Sequence, residues 1–289
     1  MNIPTSLPRR QDRSGWSLSS ILRFCLAEIR ALRVLAMALT DGPALFDRLP
    51  ATVWYEEMTE QLLRALSPAD SDHLLDLGCG SGRHAIQAAH LVSQVTAADH
   101  SLRMLELAQR NQRSAKTHNL ILRQEDGEAL SFPDHAFDLA TGFMLLPAFE
   151  EPTKVIGELL RVVKPGGRIG LLNPSWSLNP LAAWSFSRER GHQGFDLASL
   201  MAWAHTRRRF SPEGLLRSLR HQTEGEIRLL PLLGGMAFAA VVTKPGGQNR
   251  LSSIPDDASP EPHTARSAAL APPAPPWHSS KESSCPTLP

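Results

Sequence analysis

A single tyrosine, Tyr55, and three cysteines are all that the 289 residues hold of those two types. The cysteines, Cys25, Cys79 and Cys285, are odd in number and far apart. They form neither a disulfide framework nor a C-x-x-C pair, which fits a reducing compartment and supplies no zinc site. The eleven histidines are scattered and contain no H-x-x-x-H pair, so no metal is expected. Charge of one sign is also missing. A formal net charge of +1 gives no bulk argument for nucleic acid. There is no long uncharged apolar run. The best candidate, residues 18–39, is interrupted by Arg23, Glu28, Arg30 and Arg33, which argues against a membrane span. The first residues are polar, with Arg9, Arg10 and Arg13 ahead of any apolar stretch, so no secretory signal is expected. No internal repeat is visible.

The chain is 42% hydrophobic, enough for a sizeable core. Its composition divides it into a polar leader (1–15), N-terminal helices that cap the core (16–70), a main domain (71–245) and a tail (246–289). The tail holds nine of the 23 prolines and many serines, and is expected to be disordered. In the N-terminal zone Leu18, Ile21, Leu22, Cys25, Ile29, Leu32 and Leu39 recur near helical spacing, with Arg23, Arg30 and Arg33 on another face. The expected role of that stripe is packing. The alternative lays it on an anionic membrane, since residues 1–45 carry six arginines against Asp12, Glu28 and Asp41. "DGP" at 41–43 should end this helix, and a second should cover 52–66.

From residue 73 strand-like and helix-like pieces alternate. "HLLDL", "QVTAAD", "NLILRQED", "FDLATGFML" and "GRIGLLNP" read as five strands, separated by helical patterns at 82–91, 102–114 and 153–163. This alternation predicts a parallel sheet with right-handed crossovers. Residues 175–210 carry Trp176, Trp184, Phe186, Phe195, Trp203 and Phe210 with no clear period, and read as an insert over the acceptor site. "SPEGLLRSLR" is a helix capped by Ser211 with Pro212 at its first position. Residues 226–233 and 236–244 form two strands across a Gly234-Gly235 turn.

The chemistry concentrates in "LLDLGCGSGRHA", residues 74–85. Glycines between a strand and a helix remove Cβ atoms, so backbone N–H groups can approach a ligand closely. The spacing is G-x-G-x-G, and Arg83 stands where the dinucleotide fingerprint needs its third glycine. Asp76 lies two residues ahead of Gly78 and would repel a pyrophosphate, so a ligand with a cationic centre fits better. Asp99 ends the second strand, where a carboxylate accepts ribose hydroxyls. Asp126, before Gly127, ends the third, where it can accept from an adenine amine.

These motifs resemble class I S-adenosyl-methionine-dependent methyltransferases of the small-molecule type, similar to the ubiquinone- and menaquinone-biosynthesis methyltransferases. "LLDLGCGSG", "AADHSLRMLELA", "EDGEALSFPDHAFDLATG" and "LLRVVKPGGRIGLLNP" carry the likeness, which spans roughly residues 52–245. The resemblance implies an α/β fold: a Rossmann-like, seven-stranded, mostly parallel sheet with helices on both faces and a final antiparallel hairpin strand. It implies S-adenosyl-L-methionine as cofactor, bound by Asp76, Gly78, Cys79, Gly80, Gly82, Asp99, His100, Met104, Asp126, Gly127 and Thr141. It also implies a cytoplasmic enzyme that methylates a small acceptor. The aromatic insert suggests an apolar acceptor such as a quinone, isoprenoid or lipid. No catalytic residue is assigned, because the cofactor supplies the electrophile. The other reading is a cofactor-binding but inactive accessory protein.

Several residues have plainer readings. Asp138 is expected to be structural, "KPGG" at 164–167 a turn, and Cys79 a small side chain beside the cofactor. Tyr55 is placed either at the cofactor's methionine end or in surface packing. His192, with Arg188 and Arg190, reads as a solvated loop in preference to a catalytic base. A nucleic-acid methyltransferase is disfavoured, since "NPSW" at 173–176 is only a partial echo of N-P-P-Y. The "GF" pair common before the sixth strand is replaced here by "TEGEI".

Overall fold

The computed structural model describes residues 17–206 and 208–246. The expected leader and nearly all of the expected tail lie outside these residues. Seven strands form one sheet in the order β3-β2-β1-β4-β5-β7-β6. They are β1 (His73–Leu77), β2 (Gln94–Asp99), β3 (Leu120–Gln124), β4 (Phe137–Phe143), β5 (Val163–Pro174), β6 (Glu226–Leu232) and β7 (Ala237–Thr243). The first five are parallel, and β7 is antiparallel to both β5 and β6. Central parallel strands are covered on both faces, so in "HLLDL" and "QVTAAD" every residue after the first is buried, with no alternation of buried and exposed positions. The edge strand β3 is covered mainly on one side and exposes Arg123 and Gln124.

Nine helices surround the sheet among the described residues: α1 (Leu18–Thr40), α2 (Gly42–Arg48), α3 (Val53–Leu66), α4 (Arg83–Ala88), α5 (Leu102–Ala115), α6 (Pro152–Val162), α7 (Pro180–Arg190), α8 (Gly194–Trp203) and α9 (Pro212–Arg220). Strand alternation sorts them. Leu75 and Leu77 of β1 share a core with Val155, Ile156 and Leu159 of α6 and with Leu215 and Leu219 of α9. Leu74, on the other face, packs with Leu63 of α3 and Ala85 and Ala88 of α4. The α3 side chains Trp54, Met58, Leu62 and Leu66 join α1, α7 and α8 over β5 and β7.

Several expectations need correction. The α1 stripe is helical, but the opposite face packs. Ala27, Ala31 and Val34 are buried, whereas Leu18, Leu22, Ile29, Leu32 and Leu39 are exposed. Small side chains let α1 lie close on α8, whose Ala198, Leu200, Met201 and Ala202 belong to the same core. The insert holds two helices, α7 and α8, and four of its six aromatics, Trp184, Phe186, Phe195 and Trp203, pack in this core, whereas Trp176 is exposed and Phe210 packs with the core under α6 and α9. Trp184 is buried, and Trp203 stacks on Trp54 at 5.3 Å. The 188–192 stretch is solvated as expected, but it is the last turn and cap of α7 and not a loop. Arg188 lies over the Trp184 ring, Arg190 lies over the Phe186 ring, and His192 packs edge-on against Phe186. "KPGG" belongs to β5 as an irregular excursion in its pairing with β4, with Gly166 at φ 78°.

Two bonds fix α3 to α8. Asp196 accepts from the Val53 N–H at 2.7 Å, replacing a cap that the Thr52 side chain does not make. The fully buried Trp54 donates through Nε1 to Ser199 Oγ at 3.1 Å. Trp54→Ala should therefore cost about 3–5 kcal/mol through cavity formation. Urea unfolding checks this, and a loss below about 1 kcal/mol would mean that α3 and α8 do not share one core.

Candidate active site

The chain turns from β1 towards β2 and β3 and then crosses back to β4, so the strand order reverses between β1 and β4. Ligands of open α/β sheets bind outside the carboxyl ends of the strands at such a switch point. The glycine loop leaves β1 there. Gly78, Gly80 and Gly82 have φ of 74°, 52° and 74°, a region that side chains rarely adopt. A Cβ on Gly82 would press on Ala108 of α5 at 2.9 Å, whereas nothing lies within 4 Å of one on Gly80. Gly82 therefore serves helix packing, and Gly80 leaves its surroundings clear.

Asp76 is only 1% exposed. Its Oδ1 accepts from Thr141 Oγ1 at 2.8 Å, and its Oδ2 is buried with no hydrogen-bond partner. His84, at the start of α4, holds Nε2 3.8 Å from Asp76 Oδ1, too far for a hydrogen bond, and both of its ring nitrogens are buried without partners. Burial pushes the Asp76 carboxyl above its ordinary 3.8, outweighing the opposite effects of His84 and Thr141. Tyr55 stacks on Phe143 with ring centroids 4.3 Å apart, and Phe143 in turn lies 5.5 Å from the His84 ring. Burial, then the charge of Asp76, pushes the Tyr55 phenol upward, so it stays protonated at neutral pH.

Asp99 is a buried loop holder. Its Oδ2 accepts from Gly80 N–H and its Oδ1 from Ser101 N–H, each at 2.9 Å. His100 is exposed beside it, with Nδ1 3.5 Å from Asp99 Oδ1. Met104 lies in the first turn of α5, under the Ser101 cap. Asp126 is exposed and accepts from Glu128 N–H at 2.9 Å, leaving Oδ2 uncommitted among the described residues. Gly127 is buried against Phe149, whose Cζ would lie 2.8 Å from an added Cβ. Cys79 is buried, and burial followed by the charges of Asp76 and Asp99 raises its thiol, which keeps it from acting as a thiolate. Thr141 is fully buried, so its hydroxyl acts on Asp76. Asp138 is structural, accepting from His73 N–H and Lys164 Nζ.

Residues matching a family described as a methyltransferase domain run from 75 to 171. Two curated relatives extend the likeness. The ubiquinone/menaquinone biosynthesis C-methyltransferase of Zymomonas mobilis is 34% identical over 38% of this chain and 45% of its own length. The demethylmenaquinone methyltransferase of Clavibacter sepedonicus is 40% identical over 37% and 42%. The chain thus spans less than half the length of either. A SAM-dependent methyltransferase structure from Aquifex aeolicus, 17% identical, covers 69% of this chain and 97% of its own with a TM-score of 0.52, which shows the shared fold. The sheet order, with helices on both faces, is the Rossmann-like architecture of that structure.

Three features of the domain escaped the sequence reading: the buried His84, the Tyr55–Phe143 stack, and Met144, a non-glycine residue at φ 53° after β4. The R-H pair in "GRHA" was the available signal for His84. Two loop N–H groups, those of Gly80 and Ser101, depend on Asp99. Asp99→Ala should destabilise the protein by about 1–3 kcal/mol, the cost of buried donors left unpaired. Chemical denaturation checks this. Unchanged stability would mean that the loop holds itself without the carboxylate.

Proposed function

We propose that this chain transfers the methyl group of S-adenosyl-methionine to a small apolar acceptor of quinone, isoprenoid or lipid type, at the cytoplasmic side of the cell. The observation that carries the reading is the orphaned Asp76 Oδ2, buried at the switch point beside the glycine loop. An unpartnered buried carboxylate oxygen is costly unless a ligand completes it. The ammonium of the methionine moiety fits that need, and the clear space beside Gly80 fits a close approach of the ligand to the backbone. Asp99 would take the ribose, with His100 and Met104 beside it, and Asp126 with Gly127 the adenine.

When bound, the cofactor supplies the electrophilic methyl group. The chain's own residues bind, orient and exclude water. Thr141 holds Asp76 in place, and Asp99 holds Gly80. Tyr55 and Phe143 form an aromatic wall next to Asp76. The apolar acceptor is supported by that wall and by the quinones that appear in the names of the two curated relatives.

Two outcomes follow. Because burial raises the Asp76 carboxyl, acidification protonates it above the range of an ordinary aspartate. In the unliganded protein this burial is a stability cost at neutral pH that disappears as pH falls. Cofactor affinity should move the other way, falling on acidification as the carboxylate is lost, and Asp76→Asn should flatten that profile. Calorimetric titration across pH tests it, and a wild-type profile without an acid limb would contradict the ammonium assignment. Radiolabelled S-adenosyl-methionine should also pass its methyl group to a demethylated quinone. Cofactor binding without transfer to quinone, isoprenoid or lipid acceptors would favour the inactive accessory reading.

A further inference from the structure

The face that α1 turns away from the core is apolar and basic. With 3.6 residues per turn, Leu18, Leu22, Cys25, Ile29, Leu32 and Ala36 fall within an arc of about 80°. Leu18, Leu22, Ile29 and Leu32 are 87%, 61%, 50% and 57% exposed. Leu26, 47% exposed, widens the arc towards one edge. Arg33, Arg30 and Arg23 follow on that edge, all exposed and without an ion-pair partner among the described residues. Glu28, the one acid of the helix, lies towards the other edge, where its Oε2 sits 2.9 Å from His205 Nε2. The cations are therefore not balanced by a carboxylate on the apolar face.

The rest of the protein holds this face outward. Ala27, Ala31 and Val34 are committed to the core shared with α3 and α8. A free helix could bury its leucines by turning over, but this one is anchored on its small-residue side. Among the described residues no helix is long and apolar enough to cross a membrane, so the available mode is interfacial.

We propose that the outward face of α1 docks on an anionic lipid surface, with its leucines and Ile29 in the acyl boundary and Arg23, Arg30 and Arg33 at the headgroups. Charge decides between occupants. Residues 1–40 carry six arginines against Asp12 and Glu28, in a chain whose net charge is only +1. An anionic bilayer supplies apolar depth and countercharge together. A second copy of this face supplies the apolar surface but the same arginines, with no acid to meet them. The inference does not depend on the methyl acceptor, although a surface-docked protein would meet lipid-soluble acceptors where they reside.

The test uses the full-length protein and vesicles of phosphatidylcholine with or without phosphatidylglycerol. Cys25 lies on the docking face and Cys79 is buried. An environment-sensitive dye on Cys25, in a Cys285→Ser background, therefore reports immersion directly. Anionic vesicles should shift the dye to the blue and float the protein at low salt, while high salt or neutral vesicles should abolish both effects. Replacing each of the three arginines by Gln should weaken partitioning roughly fivefold. Leu22→Glu with Ile29→Glu should abolish it, leaving the melting temperature and cofactor affinity unchanged because both sites are exposed. Absence of vesicle binding, equal binding to neutral vesicles, or a dimer in sedimentation that the double Glu variant dissociates would each overturn the proposal. Separate calorimetry with the cofactor distinguishes such a failure from a failure of the methyltransferase reading.

Discussion

A carboxylate kept out of water is the constraint around which this molecule is organised. Asp76 sits near the carboxyl end of β1, whose residues from Leu74 on are all buried, where an ionised group is expensive unless every lone pair is answered. Thr141 from the neighbouring strand answers one oxygen, and His84 comes near without forming a hydrogen bond. The other oxygen has no partner, at the switch point between β1 and β4. The glycine loop follows it in the chain, Asp99 braces that loop at Gly80, and Tyr55, stacked on Phe143, feels the charge of Asp76. A purely structural aspartate would be badly placed here, because an apolar residue of similar size would pack at lower cost.

The N-terminal helices continue the same design outward. Tyr55 reaches the site from α3. Trp54, its neighbour in sequence, touches the Tyr55 ring edge-on and reaches Trp203 and Ser199 of α8. Helix α1 then lies on α8 through alanines and Val34. The site is thus tied through two layers of packing to a surface that is apolar and basic. A perturbation of the α3–α8 core would therefore reach both the wall beside Asp76 and the seat of α1.

The strands and most helices were legible because buried parallel strands must be apolar runs, and because Ser211-Pro212 and the Gly234-Gly235 turn have local causes. The glycine loop and its three acids were equally legible, since each stands at a strand end in a spacing that only a few ligands require. What failed was orientation. The helical period shows that α1 has an apolar stripe, but not which face meets the core. The alanines won because closeness to α8 outweighs side-chain size at a helix–helix contact. That four of the six aromatics of 175–210 pack among helices was hidden for a related reason: composition shows that apolar surface must be covered, not whether a ligand or another helix covers it. His84 and Thr141 act through Asp76 from separate positions, so nothing short of the folded geometry joins them.

The central claim is that Asp76 awaits a cationic group of the ligand. The direct measurement is a binding cycle that combines Asp76→Asn with S-adenosyl-homocysteine and with 5′-methylthioadenosine, which lacks the amino-acid portion. The account predicts that the substitution weakens S-adenosyl-homocysteine about tenfold or more, as for a charged hydrogen bond, and leaves methylthioadenosine nearly unchanged. Equal losses for both ligands would show that Asp76 only supports the loop, and would contradict the account.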